Sequence, residues 1–427
     1  MNRLAAPRGT NDVLPPRSAD WNRLEARARE IACRFGYGEI RTPTFEATEL
    51  FVRGVGETTD IVEKEMYTFV DKGGRSMTLR PEWTAPVVRA CLEHGLFGQG
   101  PQRLYYIGSI YRYERPQAGR YREAHQFGIE CFGFAGPEAD VEVIDVAATL
   151  IGRYGLGGVT VRLNSVGDDV CRPRYRDALL AHFQPHAAEL SEDSQRRLER
   201  NPLRILDSKS PADAPFVATA PTLLDVLCDD CRAHFAAVCG YLAERGIAYE
   251  IDPRLVRGLD YYTRTVFEIT STALGAQSTV CGGGRYDGLV ASLGGPPTPA
   301  VGFGLGLERF LMMVDKAAVA EPAPRRGIQA IALGAAARSR LVPLVGALRA
   351  VLTEPVFVDY GDRKLTAHFK SADRSGARWA LILGDDELGA GEIVLRDLEH
   401  RTDRRLPLAH AVDRVALAVV EGDAQHA

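Results

Sequence analysis

The sequence predicts an α+β protein: a first domain built on an antiparallel sheet and interrupted by a helical insertion, then a smaller α/β domain. Three observations carry this. Residues 103–134 hold two runs of period-2 alternation around a loop with Pro116 and Gly119, the pattern of a long antiparallel hairpin. Residues 170–245 are mainly polar with helical spacing, as in "HAAELSEDSQRRLERN". After the proline-bearing segment "AAVAEPAPRRG" (317–327), the runs "IQAIALG" (328–334) and "RWALILGDDEL" (378–388) read as buried strands with helices between. The domains are therefore placed at 1–320, with the insertion at about 170–245, a linker at 321–327 and the second domain at 328–427.

The elements follow in order. In "ADWNRLEARAREIACRFGY", Trp21, Leu24, Ala28 and Ile31 share a helical face, and Gly36 and Gly38 end the helix. "EIRTPTFEATELF" reads as extended, since Pro43 turns Thr42 away from helix. On the hairpin, Ile110, Arg112 and Glu114 share one face of the first strand, and Gln126, Gly128 and Glu130 one face of the second. Residues 247–320 return to strands and glycine turns before an apolar helix.

Of 427 residues, 45% are hydrophobic and 25% charged, with a net charge of −4. That balance suits a folded chain of two or three domains. It excludes a chain-wide basic coat for nucleic acid and leaves room for a local basic patch. No apolar run approaches the roughly 20 residues of a membrane helix. "MNRLAAPRGTNDVLPP" lacks the apolar core of a secretion signal, so a cytoplasmic protein without membrane association is expected. The eight cysteines are scattered, unlike a disulfide framework. "CDDCRAHF" offers Cys228, Cys231 and His234 as metal ligands, but a zinc site wants a second ligand pair elsewhere. The same residues lie in "TLLDVLCDDCRAHFAAVCGYLAERG", where Leu224, Leu227, Cys231, Val238 and Leu242 recur at helical spacing. The helix-face reading is preferred, and no metal site is assigned.

Three stretches carry candidate chemistry. From 103 to 122 there are five arginines (103, 112, 115, 120, 122) and one acid, Glu114. Planar guanidinium forks suit phosphate, and a solvated, salt-bridged hairpin is the plainer alternative. In "TLRPEWTAPVVRA" (78–90), Glu82 and Thr84 pair a carboxylate with a hydroxyl, suited to an ammonium group, or else simply start a helix. In "CGGGRYDGLVASLGGPPTPAVGFGLGLERFLMMV" (281–314), three successive glycines let the backbone approach a ligand closely. "GFGLGLERF" then passes from a glycine-rich strand into a helix carrying Arg309. The dinucleotide pattern fails at Leu307 and the phosphate-loop pattern is absent, so any ATP site sits on an antiparallel scaffold.

The order "EIRTPTFE", "YRYERP…GRYREAHQFGIECFG" and "GFGLGLERF" resembles the three signature motifs of class II aminoacyl-tRNA synthetases. "RLVRGLDYYTRTVFEI" (254–269) and "CGGGRYDGL" resemble the two histidine-specific motifs of the histidyl-tRNA synthetases. The resemblance runs over nearly the whole chain and implies a class II catalytic domain followed by an anticodon-binding domain. It implies activation of L-histidine by ATP, with Mg²⁺ on the outer phosphates, and transfer to the 3′ end of tRNA(His). By motif, Arg112 and Arg257 fall at the α-phosphate, with Arg257 as a fixed cation where relatives use another metal ion. Arg309 falls at the γ-phosphate, with Glu114 and Arg120 beside the nucleotide.

Glu82, Thr84 and Gln126 match positions that hold the α-amino group, and Glu130 and Tyr262, with Tyr261 beside them, positions at the imidazole. A carboxylate and a phenol would satisfy the donor and the acceptor of that ring. Arg115, Gln117 and Arg122 fall where the hairpin loop reaches the tRNA acceptor end. Arg363, Lys364, Lys370, Arg374 and Arg378 form a basic run in the second domain, either an RNA face or a solvated helix. Asp260 is expected to brace an arginine. Trp83 stands where the family has a small residue. The Pro43 strand matches the motif at the family's subunit interface, so a homodimer is implied. The alternative is the non-catalytic synthetase-like regulatory subunit of ATP phosphoribosyltransferase, which erodes the Arg257 motif and lacks the C-terminal domain.

Overall fold

The computed structural model describes residues 4–56, 59–206, 208–274, 279–316 and 325–424. The chain divides into two compact units, Met1–Ala320 and Glu321–Ala427. Of the expected linker 321–327, residues 321–324 lie outside the described residues.

Unit 1 opens with α1 (Arg17–Arg34), which buries Leu24, Ala28 and Ile31 as their helical spacing requires. Gly36, at φ +81°, turns the chain toward β1 (Gly38–Glu39). The run expected to stay extended does so only through β2 (Phe45–Ala47). From Thr48 it becomes α2 (Thr48–Val55), because Phe51 and Val55, one turn apart, share a buried face that overrides the extended start. β3 (Tyr67–Val70) and β4 (Ser76–Leu79) join β2 in a three-stranded antiparallel sheet, ordered β2–β4–β3. After α3 (Thr84–Glu93), β5 (Gln102–Tyr111) and β6 (Glu123–Phe132) pair antiparallel over their full length, the hairpin that the alternation implied. α4 (Pro137–Gly152) and β7 (Val159–Ser165) follow.

The next stretch is helical: α5 (Cys171–Phe183), α6 (Glu192–Arg200), α7 (Ala214–Thr219) and α8 (Asp229–Arg245). It keeps a small core of its own around Tyr175, Leu179, Phe183 and Leu223. The single helix read through Cys228 is corrected here. Thr222 and Asp225 close a capping box on a 3₁₀ turn at Leu223–Val226, and Cys228 then caps a new helix, α8. Cys231 is buried in the small core, and Phe235, Val238 and Leu242 of the same helix enter the main one.

β8 (Tyr249–Ile251), β9 (Thr263–Ser271), β10 (Thr279–Arg285), a short α9 (Leu289–Ser292), β11 (Ala300–Gly306) and α10 (Leu307–Lys316) complete the unit. The main sheet runs β1–β5–β6–β11–β10–β9–β7–β8. Its interior is antiparallel as expected, but both edge strands pair in parallel, β1 with β5 and β8 with β7. α1, α4, α8 and α10 contribute to the core on one face. Phe127, Ile129 and Cys131 of β6 point into it, so Gln126, Gly128 and Glu130 take the other face.

Unit 2 runs β12 (Ile328–Ala332), α11 (Ala335–Val351), β13 (Val356–Val358), α12 (Leu365–Ser375), β14 (Trp379–Leu383), α13 (Asp385–Ala390), β15 (Glu392–Asp397), β16 (Thr402–Pro407) and α14 (Ala411–Ala424). Its sheet is ordered β13–β12–β14–β15–β16, parallel at β13–β12–β14 and antiparallel beyond. Both expected buried strands are present, although the second ends at Leu383, where Gly384 leads into α13. Arg363, Lys364, Lys370 and Arg374 are exposed. Arg378 leaves this basic run: it is 7% exposed, 3.9 Å from Glu399 and packed against Trp379 at the head of β14. Among the described residues no helix is long and apolar enough to cross a membrane.

Candidate active site

Three strands of the main sheet place glycines on the face away from α1 and α4. β11 alternates: Val301, Phe303 and Leu305 enter the core, and Gly302, Gly304 and Gly306 face the other way. Gly128 lies beside Gly304 on β6, and Gly282 and Gly284 lie across from them on β10. These bare positions have occupants. A Cβ at Gly282 would strike the Arg257 guanidinium, at Gly302 the Glu130 carboxylate and at Gly128 the Tyr106 ring. At Gly284 it would meet the Tyr262 ring at 2.9 Å. The successive glycines expected to admit a ligand therefore first make room for Arg257 and Tyr262, and Gly282 still lines the cavity above.

That cavity measures about 350 Å³. One end is basic. Arg112, Arg120, Arg257 and Arg309 line it together with three acids, Glu114, Glu268 and Glu308, the last of them bound to His125. Arg112 Nε donates to the Pro81 carbonyl (2.8 Å), aiming its fork inward. Glu114, the lone acid of the loop, is buried, pairs with Arg120 and sits 3.8 Å from Arg112. Arg309 donates to the carbonyls of Gly119 (2.8 Å) and Thr279 (2.6 Å), tying the hairpin loop to α10. Arg257 pairs with Glu268, which also accepts from Thr279 Oγ1 (2.8 Å). Four guanidiniums against three carboxylates, one of which is engaged by His125, suit a polyanion. Arg103, the remaining arginine of the strand, binds Glu142 instead (2.9 Å).

The other end is built on the start of α3. Glu82 is 4% exposed, and its two oxygens accept the N–H groups of Thr84 (2.7 Å) and Ala85 (2.9 Å). The carboxylate thus caps the helix start and borders the cavity at once. Burial raises its pKa, opposed by those two bonds. Thr84, Gln126, Tyr261 and Tyr262 share this end of the wall. Trp83 stacks on Tyr106 (4.7 Å) under the Arg80 guanidinium (3.6 Å), in space that Gly108 leaves open: a Cβ there would lie 2.7 Å from the indole. The tryptophan is 3% exposed and also borders the cavity.

Glu130 departs from its expected position. It is 1% exposed and lies one layer below the wall, accepting from Thr84 Oγ1 (2.8 Å), Tyr106 (3.3 Å) and Tyr286. Those hydroxyls cover it. Tyr106, Tyr286 and Glu268 carry no local signal of their own in the sequence: the two tyrosines take their place through Glu130, and Glu268 through its pairing with Arg257 across a turn of the chain. Burial lifts the Glu130 carboxyl from its ordinary 4.5 to about 8. The folded form therefore holds a proton that an unfolded carboxyl releases near pH 4.5. This contribution to stability is complete below that pH, declines as pH rises toward 8 and is flat above it. Thermal unfolding of the wild type is expected to lose ground to Glu130→Gln between about pH 5 and 8, with a constant gap beyond. Parallel curves would contradict the buried acid.

Of the three loop residues expected at tRNA, Arg115 and Gln117 are exposed. Arg122 is half-buried, stacked over Tyr113 (4.0 Å) and bonded to the Glu114 carbonyl (3.2 Å), so it braces the loop. Asp260 does hold an arginine, Arg204 of the helical insertion (3.0 Å). In "CGGGRYDGL", Arg285 is fully buried and binds Asp140 together with the carbonyls of Phe134 and Gly136.

A family model described as histidyl-tRNA synthetase matches residues 9–310. The chain belongs to this family. An anticodon-binding-domain model matches residues 335–416. A curated relative from Desulforudis audaxviator, named histidine–tRNA ligase, is 51% identical over 413 residues, 96% of this chain and 98% of its own. A second, from Moorella thermoacetica and named likewise, is 50% identical over 410 residues, covering 95% and 96%. The solved structure of apo S. aureus histidyl-tRNA synthetase superposes with a TM-score of 0.82 at 36% identity, covering 96% of this chain and 99% of the other. The histidyl-tRNA synthetase fold is thus present from α1 into unit 2, and residues of both "RLVRGLDYYTRTVFEI" and "CGGGRYDGL" line the cavity.

Proposed function

We propose that the chain is a histidine–tRNA ligase whose cavity joins L-histidine to ATP and then passes the histidyl group to the 3′ end of tRNA(His). The observation that carries this is the division of one cavity into an arginine-lined end and an end holding Glu82, Thr84, Gln126 and Tyr262. In the first step the histidine carboxylate attacks the α-phosphorus in line, its oxygen–phosphorus bond forms, and pyrophosphate leaves. Arg112 and Arg257 neutralise the charge that grows on the α-phosphate oxygens, and Arg309 holds the γ-phosphate end of a bent ATP. Glu114 and Arg120 frame the nucleotide. Glu114 and Glu268 give the oxygen donors that suit Mg²⁺ arriving on the ATP phosphates; the ion supplies charge neutralisation on the leaving pyrophosphate.

Glu82, Thr84 and Gln126 take the ammonium group. Tyr262, with Tyr261 beside it, faces the imidazole, and Glu130 sets that wall from beneath through its three hydroxyl partners. A direct Glu130 contact requires one of those hydroxyls to swing aside. Arg115 and Gln117 reach the tRNA acceptor end, and unit 2 takes the anticodon. The working form is a homodimer: β2, in the Pro43 motif expected at a subunit interface, leaves Phe45 exposed at 51%, and β3 of the same sheet leaves Phe69 and Val70 exposed at 43% and 70%. Histidine-dependent exchange of pyrophosphate into ATP tests the reading.

A further inference from the structure

The helical insertion contains a cluster that the proposed reaction does not use. Two pairs with the same two-residue gap, Asp168/Cys171 and Cys228/Cys231, come from segments more than 50 residues apart in sequence. The second pair that a zinc reading of "CDDC" wanted is thus present, Asp168 in the loop after β7 and Cys171 at the start of α5. His234 does not take part: its Nε2 lies 3.4 Å from Asp140 in the main domain.

One ligand atom from each of the four residues lies within 4.8 Å of all the others. A tetrahedral ion with metal–sulfur bonds of about 2.3 Å needs sulfurs about 3.8 Å apart, so closure asks for shifts of an ångström at most. Cys228 Sγ is already 3.8 Å from Asp168 Oδ2. The other carboxylate oxygen, Oδ1, accepts the N–H groups of Val170 (3.0 Å) and Cys171 (3.1 Å), which fixes the aspartate. The Cys228 N–H donates to Cys171 Sγ (3.1 Å), the kind of bond that supports a metal thiolate.

The backbone favours the charged ligands. Cys171 is the first residue of α5, Cys228 caps α8 and Cys231 lies in its first turn. Two helix N-termini therefore point partial positive charge at the three sulfurs and lower the cost of thiolates. Cys171 and Cys231 are fully buried, and Asp168 and Cys228 are half-buried. Three sulfurs and one carboxylate oxygen in a closed four-ligand set suit Zn²⁺ over the hard cations.

We propose that Asp168, Cys171, Cys228 and Cys231 bind one Zn²⁺ ion as a structural clip joining the starts of α5 and α8. The clip adjoins the histidine wall, since the next residue, Arg172, donates to the Tyr262 carbonyl.

The test uses the full-length chain, loaded with Zn²⁺ and dialysed against metal-free buffer. Elemental analysis is expected to find about one zinc per chain. Exchange with Co²⁺ is expected to give thiolate charge-transfer absorption and the strong visible bands of a tetrahedral site. Cys228→Ser combined with Cys231→Ser should abolish both signals, and Cys239→Ser, on a later turn of α8, should keep them. Asp168→Cys, which keeps a complete ligand set, should retain the ion and raise the charge-transfer intensity by about a third as a fourth thiolate joins. Wild type with only trace zinc overturns the proposal. So does a Co²⁺ spectrum that the Asp168 and Cys228/Cys231 substitutions leave unchanged.

Discussion

Arg257→Ala is expected to slow histidyl-adenylate formation about 10²–10³-fold, some 3–4 kcal/mol of transition-state stabilisation. Histidine binding should weaken far less, because the charge that Arg257 meets grows only as the phosphorus is attacked. The guanidinium is fixed before any substrate arrives. It pairs with Glu268 and lies over the bare backbone of Gly282, where a Cβ would occupy its place. Gly282→Ala should therefore copy much of the defect without touching Arg257 chemically. Its collision is with the far end of a flexible side chain, so the fold should survive while the cation moves. Lysine should rescue poorly, since a point charge cannot reproduce a planar fork held between Glu268 and the sheet. Single-turnover adenylation rates and histidine affinities for the three variants check this. A loss confined to histidine KM would remove Arg257 from the transition state.

Glu82→Gln is expected to raise the histidine KM by about 10²-fold, the scale of a lost charge-assisted contact. The carboxylate has two tasks here, and they separate by substitution. Its oxygens cap the N–H groups of Thr84 and Ala85, and its charge faces the ammonium end of the cavity. Glutamine keeps one carbonyl acceptor and loses the charge, so binding should suffer more than stability. Glu82→Ala leaves both amides without their partner and should add roughly 1–2 kcal/mol of destabilisation, the cost of a lost cap. Steady-state kinetics and denaturant unfolding of both variants resolve the two tasks. Unchanged histidine KM in Glu82→Gln would reduce the residue to a helix cap.

What was legible beforehand was what local chemistry encodes. The hairpin followed from alternation over ten residues per strand, and β5 and β6 pair in that register. Two arginines at the basic end of the cavity, Arg112 and Arg120, come from the arginine-dense stretch, because short connections keep such residues together, whereas Arg257 and Arg309 join them from distant segments. Other features depended on partners far away in sequence. The alternation of glycine in β11 was visible, but its purpose needs Glu130 and the neighbouring strands that bring it there. Arg378 looked like its exposed neighbours until β14 drew it against Trp379. Arg122 belonged to a basic loop, yet it stacks over Tyr113 and bonds the Glu114 carbonyl, which holds it along the loop. The Asp168/Cys171 pair escaped because Cys171 reads as an ordinary helix residue until α8 places Cys228 on it.

The most direct measurement is pyrophosphate exchange into ATP, run separately with each amino acid. Exchange is expected with histidine alone, because only an imidazole meets the phenol wall of Tyr262 without leaving buried polar groups unpaired. Exchange that proceeds equally with another amino acid, or none with histidine, would contradict it.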